Sequence, residues 1–465
     1  MQKVKANVNM CERPFLRKII MFSLPLMASG VLQLLYNAAD VIVVGQFAGH
    51  EAMAAVGSTT SLVHLFVNLF IGVSVGALSA MSHRVGAGDE RRADNIVHTA
   101  IPLSVIGGVV FGVFGFFGAP WMLKLMNSPE NVIGLSAKYL RIYFVGLPFL
   151  TLYNFGASIL RACGDTKRPL YILAVSGLVN VALNYALVAW ADMDVAGVAI
   201  GTTVSQAISA VWVIILLMKR KGYGHFSFRK MRLDKEALWH MIRIGVPAGI
   251  QGALFSISNV IIQSSINSFG DVAMAGNAAA SNIEGFFYVV LNAFHQACLT
   301  FTAQNYGAKK FSNIRIVYAQ CMLLATVMGV LLGTTVCLAA KPLLSLYNSN
   351  PEVIAYGKER LVFMAIVQTL SGFMDITVGA IRGLGRSFLS MVLSIGGICG
   401  LRIFWVYTVF AKHRRLSVLY WSYPITWVVT TLLQLAYMLV LWKKVSRQFQ
   451  AERLPLESQV ESTAD

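Results

Sequence analysis

The chain has 465 residues, of which 56% are hydrophobic and only 13% are charged, and its formal net charge at pH 7 is +17. Soluble domains carry roughly a quarter charged residues, so this composition excludes an ordinary soluble protein and predicts an integral membrane protein. The basic residues lie in short clusters between apolar segments, which excludes the continuous basic surface expected of a nucleic-acid-binding protein.

Apolar segments of the roughly 20 residues needed to cross a bilayer recur about twelve times. The first six are predicted near 17–46, 54–82, 96–119, 136–160, 168–190 and 194–218. The last six are predicted near 238–268, 274–302, 314–339, 356–381, 388–411 and 416–442. The predicted fold class is therefore all-α integral membrane, with twelve transmembrane helices.

Lys and Arg residues are concentrated at the N-terminus, in every second loop and in the C-terminal tail. Because basic loops remain in the cytoplasm, we expect a multi-pass protein of the cell (inner) membrane with both termini cytoplasmic. The basic cluster at 412–415 falls on the opposite side and is an exception.

The two halves of the sequence are similar at an offset near 221 residues. Ala52-Met53-Ala54 matches Ala273-Met274-Ala275, and Pro25 matches Pro247 within one residue. Six spans separate the copies, so both have the same orientation, as in transporters built from two parallel bundles.

This repeat predicts two pseudo-symmetric lobes of six helices each. The expected organisation is an N-terminal segment (1–16), an N-lobe (17–218), a basic linker (219–237), a C-lobe (238–442) and a disordered tail (443–465). The linker is interpreted either as a tether between the lobes or as an anchor to anionic lipid headgroups.

Acidic side chains within apolar spans are costly and are therefore functional candidates. Asp40 in the first span has no basic residue within one helical turn, although a buried structural acid is the alternative. Asn180 and Asn184 share a helix face in the fifth span, and Thr202 lies in the sixth. These groups are candidates for a cation or proton site, whereas hydrogen bonding between helices is the simpler interpretation.

Three more charged residues lie inside later spans and form a possible polar site in the C-lobe: Glu284, Asp375 and Arg402. Pro25 and Pro247 each lie in the first helix of a lobe, where proline removes a backbone hydrogen bond and favours a bend. Such a bend either moves during transport or is static.

Signatures of phosphate-binding loops, zinc hydrolases and serine hydrolases are absent from the sequence. The six cysteines show no paired spacing that would indicate a metal site or disulfide framework. We therefore expect a protein that is not an enzyme, without cofactor or firm metal site, and with membrane lipid but no nucleic acid as partner.

Several motifs in this order resemble those of the multidrug and toxic compound extrusion (MATE) transporters, over about residues 14–445. They are Pro25 with Asp40, Val85-Gly86-Ala87-Gly88, Arg161-Ala162-Cys163-Gly164-Asp165-Thr166 with Pro169, and Gln304-Asn305-Tyr306-Gly307-Ala308. The resemblance implies two six-helix lobes forming a V, and export of amphipathic, often cationic small molecules in exchange for protons or sodium.

The resemblance also implies that Asp40 is the coupling acid, with Asn180, Asn184 and Thr202 completing a cation site. Asn184 is a departure, since many relatives have an acid there. A single carboxylate leaves the coupling ion open, including a possible sodium ion at Asp40. Glu284 and Asp375 resemble acids in the C-lobe of some relatives.

The main alternative is a lipid-linked oligosaccharide flippase of the same superfamily, which predicts a markedly cationic cavity. Few basic residues lie within the spans, and Arg402 is the clearest. A membrane enzyme or receptor predicts a clustered catalytic set in a loop, which the sequence lacks. We expect drug-like small molecules as substrates and a monomeric protein.

Overall fold

The computed structural model describes residues 9–126 and 130–461, and within them twelve helices are long and apolar enough to cross a membrane. The first six are α1 (Phe15–Ala48), α2 (Glu51–Ala87), α3 (Glu90–Leu125), α4 (Val132–Ala162), α5 (Lys167–Trp190) and α6 (Asp194–Lys219). The last six are α7 (Lys235–Asn267), α8 (Asp271–Gly307), α9 (Phe311–Ser345), α10 (Pro351–Gly383), α11 (Ser387–Phe410) and α12 (Leu416–Phe449). The described residues contain no β-strand, so the predicted fold class is confirmed.

Most helices extend beyond their predicted spans. Helix α2 continues to Ala87 and α8 to Gly307, because a helix does not end where its apolar stretch ends. The tail that was predicted to be disordered continues the last helix to Glu461, in keeping with the high helix propensity of its Lys, Arg, Gln, Glu and Ala residues. Residues 1–8 of the predicted N-terminal segment and 462–465 of the tail lie outside the described residues.

The chain divides into two compact units. Unit 1 contains Ile20–Met81 and Asp89–Ile261, and unit 2 contains Met10–Ile19, Ser82–Gly88 and the chain from Ile262 onward. Most of α7 therefore groups with unit 1, whereas the predicted C-lobe began at 238. The lobe boundaries drawn from the sequence repeat stay a prediction.

Glycines explain why α7 packs within unit 1. A Cβ on Gly72 of α2 would lie 2.4 Å from Cα of Gly249, and one on Gly76 would lie 2.1 Å from the carbonyl oxygen of Met241. Gly245, one turn before Gly249, has no more room, since its Cβ would lie 2.4 Å from the Val73 carbonyl oxygen. Small residues four apart on both helices allow this close approach of backbones.

Helices α1 and α5 each end in a π-helical turn. These turns span Val44–Ala48 in α1 and Ala186–Trp190 in α5. Their aromatic neighbours pack together, with Phe47 and Tyr185 edge to face at a centroid distance of 5.4 Å. Since π turns often mark functional positions in helices, both turns draw attention to the residues just before them.

The α4–α5 connection is tied down by Asp165, which is 3% exposed. Its carboxylate accepts from the backbone N–H of Arg168 at 3.2 Å and lies 3.5 Å from Nη1 of Arg220. Burial raises the pKa of the neighbouring Cys163 thiol to about 11, so this thiol is protonated at neutral pH and acts as a buried filler.

Candidate functional site

The site predicted in the first half is assembled by α1, α5 and α6 within unit 1. Asp40 lies four residues before the π turn of α1, and Asn184 lies two residues before that of α5. Nδ2 of Asn184 donates to Oδ1 of Asp40 at 2.5 Å. Of the predicted group, Asp40 and Asn184 are thus in direct contact.

Asn180, one turn before Asn184 on α5, also contacts Asp40. In the amide orientation that satisfies both of its ends, Nδ2 donates to Asp40 Oδ1 at 3.0 Å and Oδ1 accepts from the Thr202 backbone N–H at 3.3 Å. Two amides four residues apart therefore hold one carboxylate oxygen, and Thr202 of α6 positions one of them. The structure brings together all four residues that the sequence predicted.

The electrostatics of this site are simple. Among the side chains that the structure describes, no Lys, Arg or His forms an ion pair with Asp40. Asn184 is fully buried, and its Oδ1 has no hydrogen-bond partner among the described residues. The carboxylate charge is therefore balanced by amide donors alone, which is an arrangement that can bind or release a positive charge.

Gly201 and Gly177 leave room for the site. A Cβ on Gly201 would lie 2.0 Å from Asn184 Oδ1, and a Cβ on Gly177 would lie 1.9 Å from Cε2 of Tyr36. The Tyr36 hydroxyl donates to the Ala174 carbonyl oxygen at 3.0 Å, which joins α1 to α5 a second time. Sequence reasoning missed Tyr36, although its position four residues before Asp40 places it on the same helix face.

Glu284 in unit 2 has a different kind of partner. Its carboxylate accepts a bidentate pair from Arg360 of α10, with Nε to Oε1 at 2.8 Å and Nη2 to Oε2 at 3.0 Å. Asn277 Oδ1 accepts from Arg360 Nη1 at 3.3 Å and from the Tyr420 hydroxyl at 2.8 Å. Sequence reasoning missed Arg360, although its charge inside a predicted span was a visible signal.

Asp375 and Arg402, the other members of the predicted C-lobe site, have partners of their own. The Asp375 carbonyl oxygen lies 2.5 Å from Nδ1 of His295, and Arg382 and Tyr288 are electrostatic neighbours of its carboxyl group. The Arg402 guanidinium lies 4.4 Å from the ring centroid of Tyr423. A shared role of these residues with Glu284 stays a prediction, as does bending of α1 and α7 at Pro25 and Pro247.

Comparison with known families gives one match that covers most of the chain. The family model MatE matches twice, over residues 25–186 and 247–408. The two matches begin at Pro25 and Pro247, the pair that the sequence repeat had also aligned. The internal repeat is thereby confirmed as two copies of one family unit.

Individual relatives agree with this match. The chain is 30% identical to the "Probable multidrug resistance protein YoeA" of Bacillus subtilis, over 92% of this chain and 94% of that protein. It is 23% identical to an "FAD transporter" of Shewanella oneidensis, over 84% and 87% of the two chains. A solved structure described as an outward-facing multidrug resistance MATE family transporter superimposes with a TM-score of 0.87 at 22% identity, covering 94% of this chain and 98% of the other.

Proposed function

Because this chain belongs to the MatE family of multidrug and toxic compound extrusion transporters, we propose that it is a secondary antiporter that uses Asp40 to couple export to an inward ion flux. Its substrates are amphipathic, often cationic small molecules, and its coupling ion is a proton or sodium. The observation that carries this proposal is the Asp40 carboxylate, which accepts from two amides and has no cationic partner among the described residues.

The proposed cycle follows from the charge of that carboxylate. In the ionised state, Asp40 is stabilised by the N–H groups of Asn180 and Asn184, each of which donates to Oδ1. Binding of a positive charge removes the net negative charge and weakens both hydrogen bonds, because donors bind an ionised acceptor more strongly than a neutral one. The α1–α5 contact then changes, and the equilibrium between inward-open and outward-open states shifts.

The orientation of the Asn184 amide supports the proton as coupling ion. Its Nδ2 faces Asp40, which suits a bare carboxylate that takes up a proton. Sodium requires several oxygen ligands, so this amide would have to rotate before its oxygen could bind the ion beside Asp40. The observation that favours sodium is Asn184 Oδ1, a buried acceptor with no partner among the described residues.

The test is efflux of a fluorescent organic cation from proteoliposomes under an imposed pH gradient or an imposed sodium gradient. Wild type and Asp40→Asn are compared, since the amide mimics a permanently neutral side chain of the same shape. We expect one gradient to accelerate efflux by at least about tenfold in the wild type, and the variant to fold but show no acceleration. Unchanged gradient-driven efflux in Asp40→Asn would refute the role of Asp40.

Several relatives are named for multidrug export, including the "Multidrug export protein MepA" of Staphylococcus haemolyticus, which supports drug-like substrates for this chain. Export of an anionic compound, as in a flippase, is less well supported. Arg360 is neutralised by Glu284, so its guanidinium does not provide the unbalanced positive charge that an anionic substrate needs. Arg402 keeps its charge against the ring of Tyr423 and is the one residue of the predicted C-lobe site that favours the alternative. Efflux of an anionic dye in the same proteoliposomes tests this alternative.

A further inference from the structure

The linker between α6 and α7 exposes large apolar side chains, although it lies outside the membrane-spanning helices. Phe228 is 60% exposed, and Met231 and Leu233 are each 51% exposed. Large apolar side chains this close together in an exposed loop usually mark a surface that another apolar phase covers. The segment Phe228–Leu233 is here called the linker patch. We expect its apolar side chains to be covered by a binding partner or by lipid.

Basic residues alternate with these apolar ones. Arg229, Lys230 and Arg232 are all exposed, so the linker patch presents three cations and three large apolar groups within six residues. Mixed basic and apolar composition of this kind is typical of segments that lie in the headgroup region of a bilayer.

The linker is held in place by α3. The Ser227 backbone N–H donates to Nε2 of His98 at 3.0 Å, and the Asp234 backbone N–H donates to Oγ1 of Thr99 at 3.1 Å. The Arg232 side chain donates to Asn95. The patch is consequently a fixed surface, so its binding groups are positioned before any ligand arrives.

A cavity of about 640 Å³ lies beside the patch, between the start of α3 and the turn after α6. Its cationic lining groups are Arg91, Arg220, Lys221 and Lys230, and its acidic ones are Glu90 and Asp94. One acid and two cations of the lining have partners: Asp94 lies 4.0 Å from Lys230 and 3.4 Å from His98, and Arg220 pairs with Asp165. The remaining lining charge is positive, which suits a phosphate group.

The position of this surface is set by the helices on either side. Helix α6 ends at Lys219 and α7 begins at Lys235, so the patch and the cavity lie where two spans leave the membrane. Lipid headgroups of the adjacent leaflet are the phosphate-bearing groups present at that level, and their acyl chains provide the apolar phase.

We propose that the linker patch and the adjoining cavity form a binding site for an anionic phospholipid of the adjacent leaflet. The phosphate lies among Arg91, Lys221 and Lys230, and Phe228, Met231 and Leu233 enter the acyl boundary. This site is separate from Asp40 and does not depend on the identity of the coupling ion.

The test is binding of fluorescently labelled phosphatidylglycerol and phosphatidylcholine to the full-length protein in micelles of a neutral detergent. The variant Lys221→Gln/Arg229→Gln/Lys230→Gln removes three charges from the site. The matched control Lys412→Gln/Arg414→Gln/Arg415→Gln removes three charges from another exposed basic cluster. We expect the wild type and the control to prefer phosphatidylglycerol by about tenfold, and the linker variant to lose this preference.

Equal loss of the preference in both charge variants would overturn the proposal. It would show that the net positive charge of the protein attracts anionic lipid, wherever on the surface that charge lies. Displacement of the labelled lipid by inorganic phosphate alone would overturn it too, because the ligand would then be a soluble anion. A further variant, Phe228→Ser/Met231→Ser/Leu233→Ser, should weaken binding of both lipids. If a triple variant does not fold, the single Lys221→Gln must still lower the preference severalfold.

Discussion

Asp40 of α1 and Glu284 of α8 are both carboxylates inside membrane-spanning helices, and each is held by side chains from one other helix. Asp40 accepts from the neutral amides of Asn180 and Asn184, whereas Glu284 accepts from the guanidinium of Arg360. The first arrangement has a net negative charge, and the second is neutral.

This difference separates two roles for an acid inside a membrane-spanning helix. A buried ion pair can be stable only while both partners remain, because removing one leaves an uncompensated charge. The Glu284–Arg360 pair therefore favours one fixed arrangement of α8 and α10. A carboxylate held only by amide donors can be either charged or neutral. Asp40 is therefore suited to taking up and releasing an ion.

The strongest test of the comparison is Arg360→Gln. We expect a loss of up to about 3–5 kcal/mol of stability, because Glu284 would be left partly buried without its cation. Thermal unfolding of the purified protein in detergent would measure this loss. In the control Glu284→Gln/Arg360→Gln both charges are absent, so most of the stability should return. If stability does not return in the double variant, the loss in Arg360→Gln does not come from an uncompensated charge on Glu284.

A smaller effect is expected from Gly201→Ala. The new Cβ would lie 2.0 Å from Asn184 Oδ1, so the amide must move away from its position against Asp40. We expect a loss of about 1–3 kcal/mol from overpacking, together with loss of gradient-driven efflux. Gly134→Ala is the control, since a Cβ there meets nothing within 4 Å. Normal coupled efflux in Gly201→Ala would argue against a role for Asn184.

The smallest effect is expected from Tyr36→Phe, which removes the hydrogen bond to the Ala174 carbonyl oxygen but keeps the ring against Gly177. Stability should fall by about 0.5–1.5 kcal/mol, and gradient-driven efflux should persist because Asp40 keeps both amide donors. Tyr171→Phe, at an exposed position, should change neither quantity. Loss of coupling in Tyr36→Phe would extend the coupling site to this hydroxyl.

The sequence predicted the fold class because about 20 consecutive apolar residues have few alternatives to a membrane-spanning helix. It also predicted the group around Asp40, since polar residues in apolar helices stand out and a spacing of four places Asn180 and Asn184 on one face. The motif resemblance supplied the link between α1 and α5, which spacing within one helix does not provide.

Sequence reasoning failed where partners come from distant helices. Arg360 follows Glu284 by 76 residues, and no local pattern connects them. The repeat assigned α7 to the second lobe, a boundary that stays a prediction, and sequence alone did not indicate the close approach of Gly72 and Gly249 that joins most of α7 to unit 1. Packing of this kind depends on tertiary geometry that a hydropathy pattern does not contain.

The π turn at Val44–Ala48 bears on how the two halves of the gene diverged. The stretch from Pro25 to Ala52 is one residue longer than the corresponding stretch from Pro247 to Ala273. Counted from Pro247, the residues of the second copy that align with this turn are 266–270, which include the end of α7 at Asn267 and the loop before α8 at Asp271. One copy therefore has a π-helical turn where the other has a helix end and a loop, so the two copies differ in length and in backbone conformation next to the proposed coupling acid.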